Sequence, residues 1–294
     1  MATKHQIGDV SVSRVEEMMG PFFDPNFLFA DWKPQSLEEH KSWLVPNHFS
    51  TEANMLVMSI HSWVIKTPRH TILVDACGGN DKNRPAMPPM HKQNHPWLDR
   101  LKAAGVTPEQ VDFVLCTHMH IDHVGWNTRL LNGRWVPTFP NAKYVFSKQE
   151  REFWDPKAGG GKNDADTQEI YNDSVLPIIE AKQDMAIDGT HQLGDGLLIE
   201  PAPGHTPGHV TLKLRSKNEE ALFSADSMHH PIQVWNPQWN SGFCADGAQA
   251  RATRRRILEH CAEHNSLMLP AHFATPHTGR VKRRGDTFSF AFEG

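Results

Sequence analysis

The chain has 294 residues, 38% of them hydrophobic, with a net charge of −4, 19 histidines and four cysteines. That is enough apolar matter for a sizeable core, but no stretch approaches the roughly 18 uncharged apolar residues of a membrane-spanning helix. The acidic balance argues against a nucleic-acid partner, which would need a basic face.

The N-terminal residues Met1 to Val10 lack the apolar core of a secretory signal, so a cytoplasmic location is expected. Residues 7–17 and 55–66 read as strands, and Thr71 to Asp75 as a short buried strand running into Gly78-Gly79. A helix is expected at 96–104, ending at Gly105, then strands at 111–116 and 142–146, and a helix at 147–154. Residues 155–167, rich in Gly, Lys and Asp, read as a flexible loop, and 168–182 as a helix. Strands follow at 197–202, 209–215 and 220–225, a long helix at 247–264, a strand at 266–270, and an edge strand at 286–292. The basic run Arg251 to Arg256 falls within that long helix and reads as a solvated face. Cys77, Cys116, Cys244 and Cys261 form no C-x-x-C pair and read as small hydrophobes of a reducing compartment. Mixed strands and helices point to an α/β fold with helices packed on sheets. One domain over 1–294 is expected, with an N-terminal extension at about 1–54.

Five of the strand-like runs end in a residue capable of chemistry: Asp75, the cluster His118-Met119-His120-Ile121-Asp122-His123, His205, Asp226 and His272. Strand ends can converge in space, and α/β proteins commonly place their sites there. Imidazole and carboxylate suit a borderline cation such as zinc. Six loop residues cannot easily wrap one tetrahedral ion with four side chains, but they can face two neighbouring sites. With His205, Asp226 and His272 they complete two three-ligand sets with a carboxylate between.

The order Asp75, Thr117-His118-x-His120-x-Asp122-His123, Pro203-Gly204-His205-Thr206-Pro207-Gly208-His209, Ala225-Asp226-Ser227 and Ala271-His272 resembles that of the metallo-β-lactamase superfamily, over about residues 55–275. The resemblance implies a four-layer αβ/βα sandwich. It implies one divalent ion, taken as Zn2+, on His118, His120 and His205, and a second on Asp122, His123 and His272, with Asp226 bridging. Asp75 would orient a ligand histidine from behind, and His209 would take a similar or a structural role.

Within the superfamily, the chain is most similar to N-acyl-homoserine lactone lactonases and methyl parathion hydrolase-like enzymes, which share its long N-terminal segment. The lactonases place a tyrosine three residues after the bridging aspartate; here that residue is His229, as in the second group. The resemblance implies hydrolysis of a carboxylic ester or lactone by a metal-bridging hydroxide, with Asp122, Asp226 and His229 taking part in catalysis and His229 donating to the developing oxyanion. The alternative is phosphotriester or phosphodiester hydrolysis. The aromatic stretch from Gly20 to Trp32 reads either as a pocket wall for a small hydrophobic substrate or as a homodimer interface or core. Trp126, three residues after His123, reads as a pocket wall.

Overall fold

The computed structural model describes residues 4–158 and 165–293. Two sheets lie face to face. The first runs in the order Lys4–Ile7, Val10–Phe23, Met55–Lys66, Thr71–Val74, Phe113–Leu115, Lys143–Ser147 and Asp184–Ile187, with Phe49–Ser50 added beside Met55–Lys66. Its last four strands are parallel, with Val74 paired to Leu115 and Leu115 to Val145. The second runs His191–Gly194, Leu197–Pro201, Val210–Ser216, Glu219–Ala225, Leu267–Pro270, Thr278–Arg284 and Thr287–Glu293. There only Glu219–Ala225 and Leu267–Pro270 are parallel, with Phe223 opposite Leu269.

Alternation along these strands builds the layers. Ile72, Val74, Leu115, Phe223, Leu267 and Leu269 fill the space between the sheets. Their neighbours face the other way. Leu73, Val114 and Cys116 pack with Trp97, Leu101 and Ile178 of the helices over the first sheet. Leu222 and Met268 pack with Ile257, Leu258 and Cys261 of the helix Gly247–His264 over the second. Strands covered on both faces read as near-continuous apolar runs, which is why these short segments were visible in the sequence. The result is the expected four-layer αβ/βα sandwich.

Residues 22–58 add a smaller core beside one end of the sandwich. Phe29, Trp32, Phe49 and Leu56 pack there with Ile232 and Trp239 of the segment that follows Asp226.

Several expectations need correction. The first strand runs Val10–Phe23, well past residue 17, and pairs with Lys4–Ile7 across a turn at Gly8-Asp9. The helix expected at 168–182 is two helices, Ala165–Ser174 and Leu176–Glu180. Pro177 lacks the N–H that a continuous helix would use, so the chain breaks at Val175 and restarts. Of the loop expected at 155–167, residues 159–164 lie outside the described residues, and Ala165 onward is already helical. In the basic run, Arg254 is buried rather than solvated. Among the described residues no helix is long and apolar enough to cross a membrane, and all four cysteines are free.

Candidate metal centre

The chemistry-bearing strand ends meet at one edge of the sandwich. Asp75 and Thr117 follow parallel neighbours of the first sheet, while His205, Asp226 and His272 follow strands of the second. Main-chain bonds join the two sets across the gap, from Val210 N–H to the Thr117 carbonyl (3.0 Å) and from Ser59 N–H to the His272 carbonyl (3.0 Å). The residue before Asp226, Ala225, has φ +43°, at a point where pairing with Leu267–Pro270 slips register. Such an irregularity ends regular pairing and re-aims the next side chain. Gly204, at φ +129°, lets the His205 loop touch the start of the helix Gly247–His264; a Cβ there would stand 2.2 Å from Ala250 N.

His118, His120 and His205 converge. His205 Nε2 lies 3.1 Å from His118 Nε2 and 2.8 Å from His120 Nδ1, and the latter two are 3.1 Å apart. Asp226 stands between this group and a second one. Its Oδ2 lies 3.3 Å from His205 Nε2 and 3.7 Å from His118 Nε2. Its Oδ1 lies 3.0 Å from His272 Nε2 and 3.4 Å from His123 Nε2. Asp122 completes the second group, 3.5 Å from each of those imidazoles. By donor type and spacing, His118, His120, His205 and Asp226 form one set able to hold a metal ion, and Asp122, His123 and His272 form another.

The residues fit cations rather than one another. Three ring nitrogens in mutual contact can share few protons, so lone pairs must face lone pairs unless a cation lies among them. His123 Nε2 and Asp226 Oδ1 are buried with no hydrogen-bond partner, a costly state for a polar atom that ligation would relieve.

Groups behind these side chains fix their orientation. Asp75 Oδ2 lies 2.9 Å from His123 Nδ1, and the carboxylate also accepts from Thr117 N–H (2.8 Å) and Thr117 Oγ1 (2.9 Å). His272 Nδ1–H donates to the Ser59 carbonyl (3.0 Å), leaving Nε2 bare toward the centre. His209 is placed behind Asp226: its Nδ1–H donates to the Ala202 carbonyl (2.9 Å) and its Nε2 accepts from Asp226 N–H (3.1 Å).

Charge separates the two halves. Burial pushes His118 and His205 well below the usual imidazole range and His120 down to about 4, so these rings are neutral, as ligation requires. At His123 and His272 burial acts the same way, but Asp226 and Asp122 outweigh it and draw positive charge there. A proton and a divalent cation are alternative answers to that demand. Burial alone would raise Asp226; His272, His123 and His229 overcome it and hold the carboxyl well below its usual range.

Above the centre opens a cavity of about 330 Å³, floored by His120, Asp122, His205, Asp226, His229 and His272. Its walls are apolar, with Met18, Phe22, Phe23, Met58, Trp154 and Phe243 among them. His229 is buried, with Nε2 3.3 Å from Asp226 Oδ2 and 3.4 Å from Ser241 Oγ, and its main-chain N–H is held by Gln233 Oε1 at 2.7 Å.

Trp126 does not line this cavity. It stacks on Trp97 at 5.3 Å in the core under the first sheet, and its Nε1 donates to Glu17 (2.6 Å). The residue is turned inward because Trp126 N–H and Gly125 N–H bond the carbonyls of Ala76 and Cys77. The aromatic N-terminal stretch divides: Phe22 and Phe23 reach the cavity, whereas Phe29 and Trp32 are core. Sequence reasoning missed the wall residues Met58, Trp154, Tyr171 and Phe243, and the buried Glu17 and Glu150. Only the spacing Ser147-x-x-Glu150 carried a signal, and it reads as an ordinary helix cap.

The sequence model of the metallo-beta-lactamase superfamily matches residues 56–272. The chain belongs to the metallo-beta-lactamase superfamily. An N-acyl homoserine lactonase, AttM, of Rhizobium radiobacter is 26% identical over 181 residues, covering 60% of this chain. The matched region spans about 63% of that relative's length. Two solved structures share the fold. One is described as the hydrolase AbOPH of the beta lactamase superfamily, with TM-score 0.83 and 24% identity over 100% of this chain and 97% of that one. The other is AidC, a dizinc quorum-quenching lactonase in complex with a product, with TM-score 0.77 and 22% identity over the same shares. Superfamily membership accounts for the order of the strand-end residues along the chain.

Proposed function

We propose that this superfamily member is a hydrolase of a small hydrophobic carboxylic ester or lactone that works with two divalent metal ions. The observation that carries this reading is Asp226, whose two oxygens face the two ligand groups on the floor of an apolar cavity. In this reading His118, His120 and His205 hold one ion, Asp122, His123 and His272 the other, and Asp226 serves both. The imidazole-rich donor set suits zinc. When bound, the ions would supply an acidified water as nucleophile and Lewis acidity for the substrate oxygen.

The remaining work falls to the chain. Asp75 and the Ser59 carbonyl hold the His123 and His272 tautomers whose Nε2 points inward. The methionine and phenyl side chains of the wall exclude water and bind the apolar part of the ester, which strengthens the polar interactions at the floor. His229, where the similar lactonases place a tyrosine, donates a hydrogen bond to the oxyanion. In this reading Asp226, whose Oδ2 lies 3.3 Å from His229 Nε2, passes a proton to the leaving oxygen. The names of the relatives support the ester or lactone class over a phosphoryl one.

The test is a panel of lactones, aryl esters and phosphotriesters on zinc-loaded protein. Lactone or aryl ester turnover should disappear on chelation and in Asp226→Asn. Turnover of phosphotriesters alone would overturn the substrate class, and ester turnover that survives chelation would overturn the metal reading.

A further inference from the structure

Glu150 belongs to neither ligand group, yet its carboxylate touches both loops that carry the first one. It sits on the helix Lys148–Trp154 and is 1% exposed. Oε1 accepts from Met119 N–H (3.0 Å) and Trp154 Nε1–H (2.5 Å). Oε2 accepts from Thr206 Oγ1–H (2.8 Å) and Gly208 N–H (3.0 Å). Met119 lies between His118 and His120, and Thr206 follows His205. One loop leaves the first sheet and the other the second, so this carboxylate spans the gap between the sheets at the ligands themselves. The approach is tight enough to require glycine at 208, where a Cβ would stand 2.2 Å from Glu150 N.

We infer that Glu150 is a positioning residue that fixes the His118–His120 loop against the His205 loop and so sets the geometry of the first metal site. The inference rests on the two-metal reading proposed above. Four donors occupy the whole acceptor capacity of the carboxylate, and a ligand set needs its atoms held to within about 0.5 Å.

The chemistry of the four donors gives a graded test. Met119 N–H, Trp154 Nε1–H and Gly208 N–H can only donate; the Thr206 hydroxyl can also accept. In Glu150→Gln the amide oxygen keeps the place of Oε1, facing two obligate donors. The amide NH2 then faces Gly208 N–H, donor against donor. The variant therefore holds the His118–His120 loop and releases the His205 loop.

Zinc binding to the purified metal-free chain is measured by competition with a chromophoric chelator, beside the unfolding midpoint of the metal-free protein. Wild type should bind two zinc ions. Glu150→Gln should bind one of them at least about tenfold more weakly, the usual scale for groups behind a ligand, and the other as before. Thr206→Val, which removes a single donor, should weaken the same ion by less, and it carries the test if Glu150→Gln does not fold. A lower unfolding midpoint with both zinc affinities unchanged would make Glu150 merely structural and overturn the inference alone. A wild-type chain that binds fewer than two zinc ions would overturn the two-metal reading and this inference with it.

Discussion

Arg254 offers a sharp test of how the segment after Asp226 is held. It lies within the helix Gly247–His264, is completely buried, and has no carboxylate partner among the described residues. Instead it donates to three main-chain carbonyls: Ser227 through Nε at 2.9 Å, and Pro237 and Trp239 through Nη1 at 2.8 and 2.7 Å. Those carbonyls belong to the segment that carries His229. Arg254→Met keeps the length and helix propensity of the side chain and removes the charge, so two effects compete. Burial pushes the guanidinium down to about 10 from an ordinary 12.5. A base whose folded pKa is depressed destabilises the folded state at pH 7, here by about 3 kcal/mol, and methionine removes that cost. Against this, the Ser227 and Pro237 carbonyls lose their donor in a dry site, at a mid-range ~2 kcal/mol each or about 4 in all, while the Trp239 carbonyl keeps Gln233 Nε2–H at 3.0 Å. The carbonyls win narrowly, and Arg254→Met should be destabilised by about 1 kcal/mol. Guanidinium unfolding of the metal-free protein at pH 7 reads this directly. Stability equal to or above wild type would refute the reasoning, by showing that water or a repacked loop satisfies the carbonyls without the guanidinium.

Three further outcomes follow from the site. In Asp75→Asn, an amide NH2 at the place of Oδ2 would donate to His123 Nδ1 and drive the ring proton to Nε2, the atom that faces the centre; one of the two zinc affinities should fall about 10–100-fold, and unchanged binding in chelator competition would count against the tautomer argument. Zinc bound only by the folded chain should stabilise it by about 2.7 kcal/mol per site at a hundredfold excess over Kd, seen as a rise in Tm on titration that shrinks in Asp226→Asn; a Tm indifferent to zinc would contradict it. Acid should destabilise even the metal-free protein, because burial lowers His48 to about 2 and His230 and His277 to about 4. Below their unfolded pKa of about 6.5 the unfolded chain binds more protons, so this stability is complete above that value and is lost as pH falls toward 4. His230 alone accounts for up to about 3 kcal/mol, and His230→Phe should show a shallower loss between pH 7 and 4.5 by denaturant titration.

The residues proposed as ligands stand out in the sequence because each lies in a short local pattern. His118 to His123 fit one loop, and the short apolar runs before Asp75, Thr117, Asp226 and His272 advertise strands buried on both faces. What was not legible depends on a neighbour distant in sequence. Trp126 follows His123 by three residues, but main-chain pairing of Gly125 and Trp126 with residues 76–77 turns its ring into the core. Arg254 sits in a basic run that looks solvated, and only the fold brings three carbonyls to it. Pro177 carries the break at Val175, but the helix-compatible residues on both sides of it read as one helix. The spacing Ser147-x-x-Glu150 reads only as a helix cap, and nothing local reveals that loops from two sheets close over the carboxylate.

The two buried glutamates suggest how such a centre is assembled before any ion arrives. Glu17 does for the second ligand group what Glu150 does for the first. Its carboxylate accepts from Gly78 N–H (2.8 Å), Gly79 N–H (2.9 Å) and Trp126 Nε1–H (2.6 Å), joining the loop after Asp75 to the loop after His123. Burial raises both glutamates, and their hydrogen bonds oppose that shift. Each carboxylate is thus tolerable only while its donors stay in place, so loosening a loop costs more than one ordinary hydrogen bond. That penalty lets the fold keep His123 Nε2 and Asp226 Oδ1 buried, close together and unpartnered. The two groups are held in place by interactions that no ion takes part in, and the unmet demand of His123 Nε2 and Asp226 Oδ1 is what cation binding would relieve.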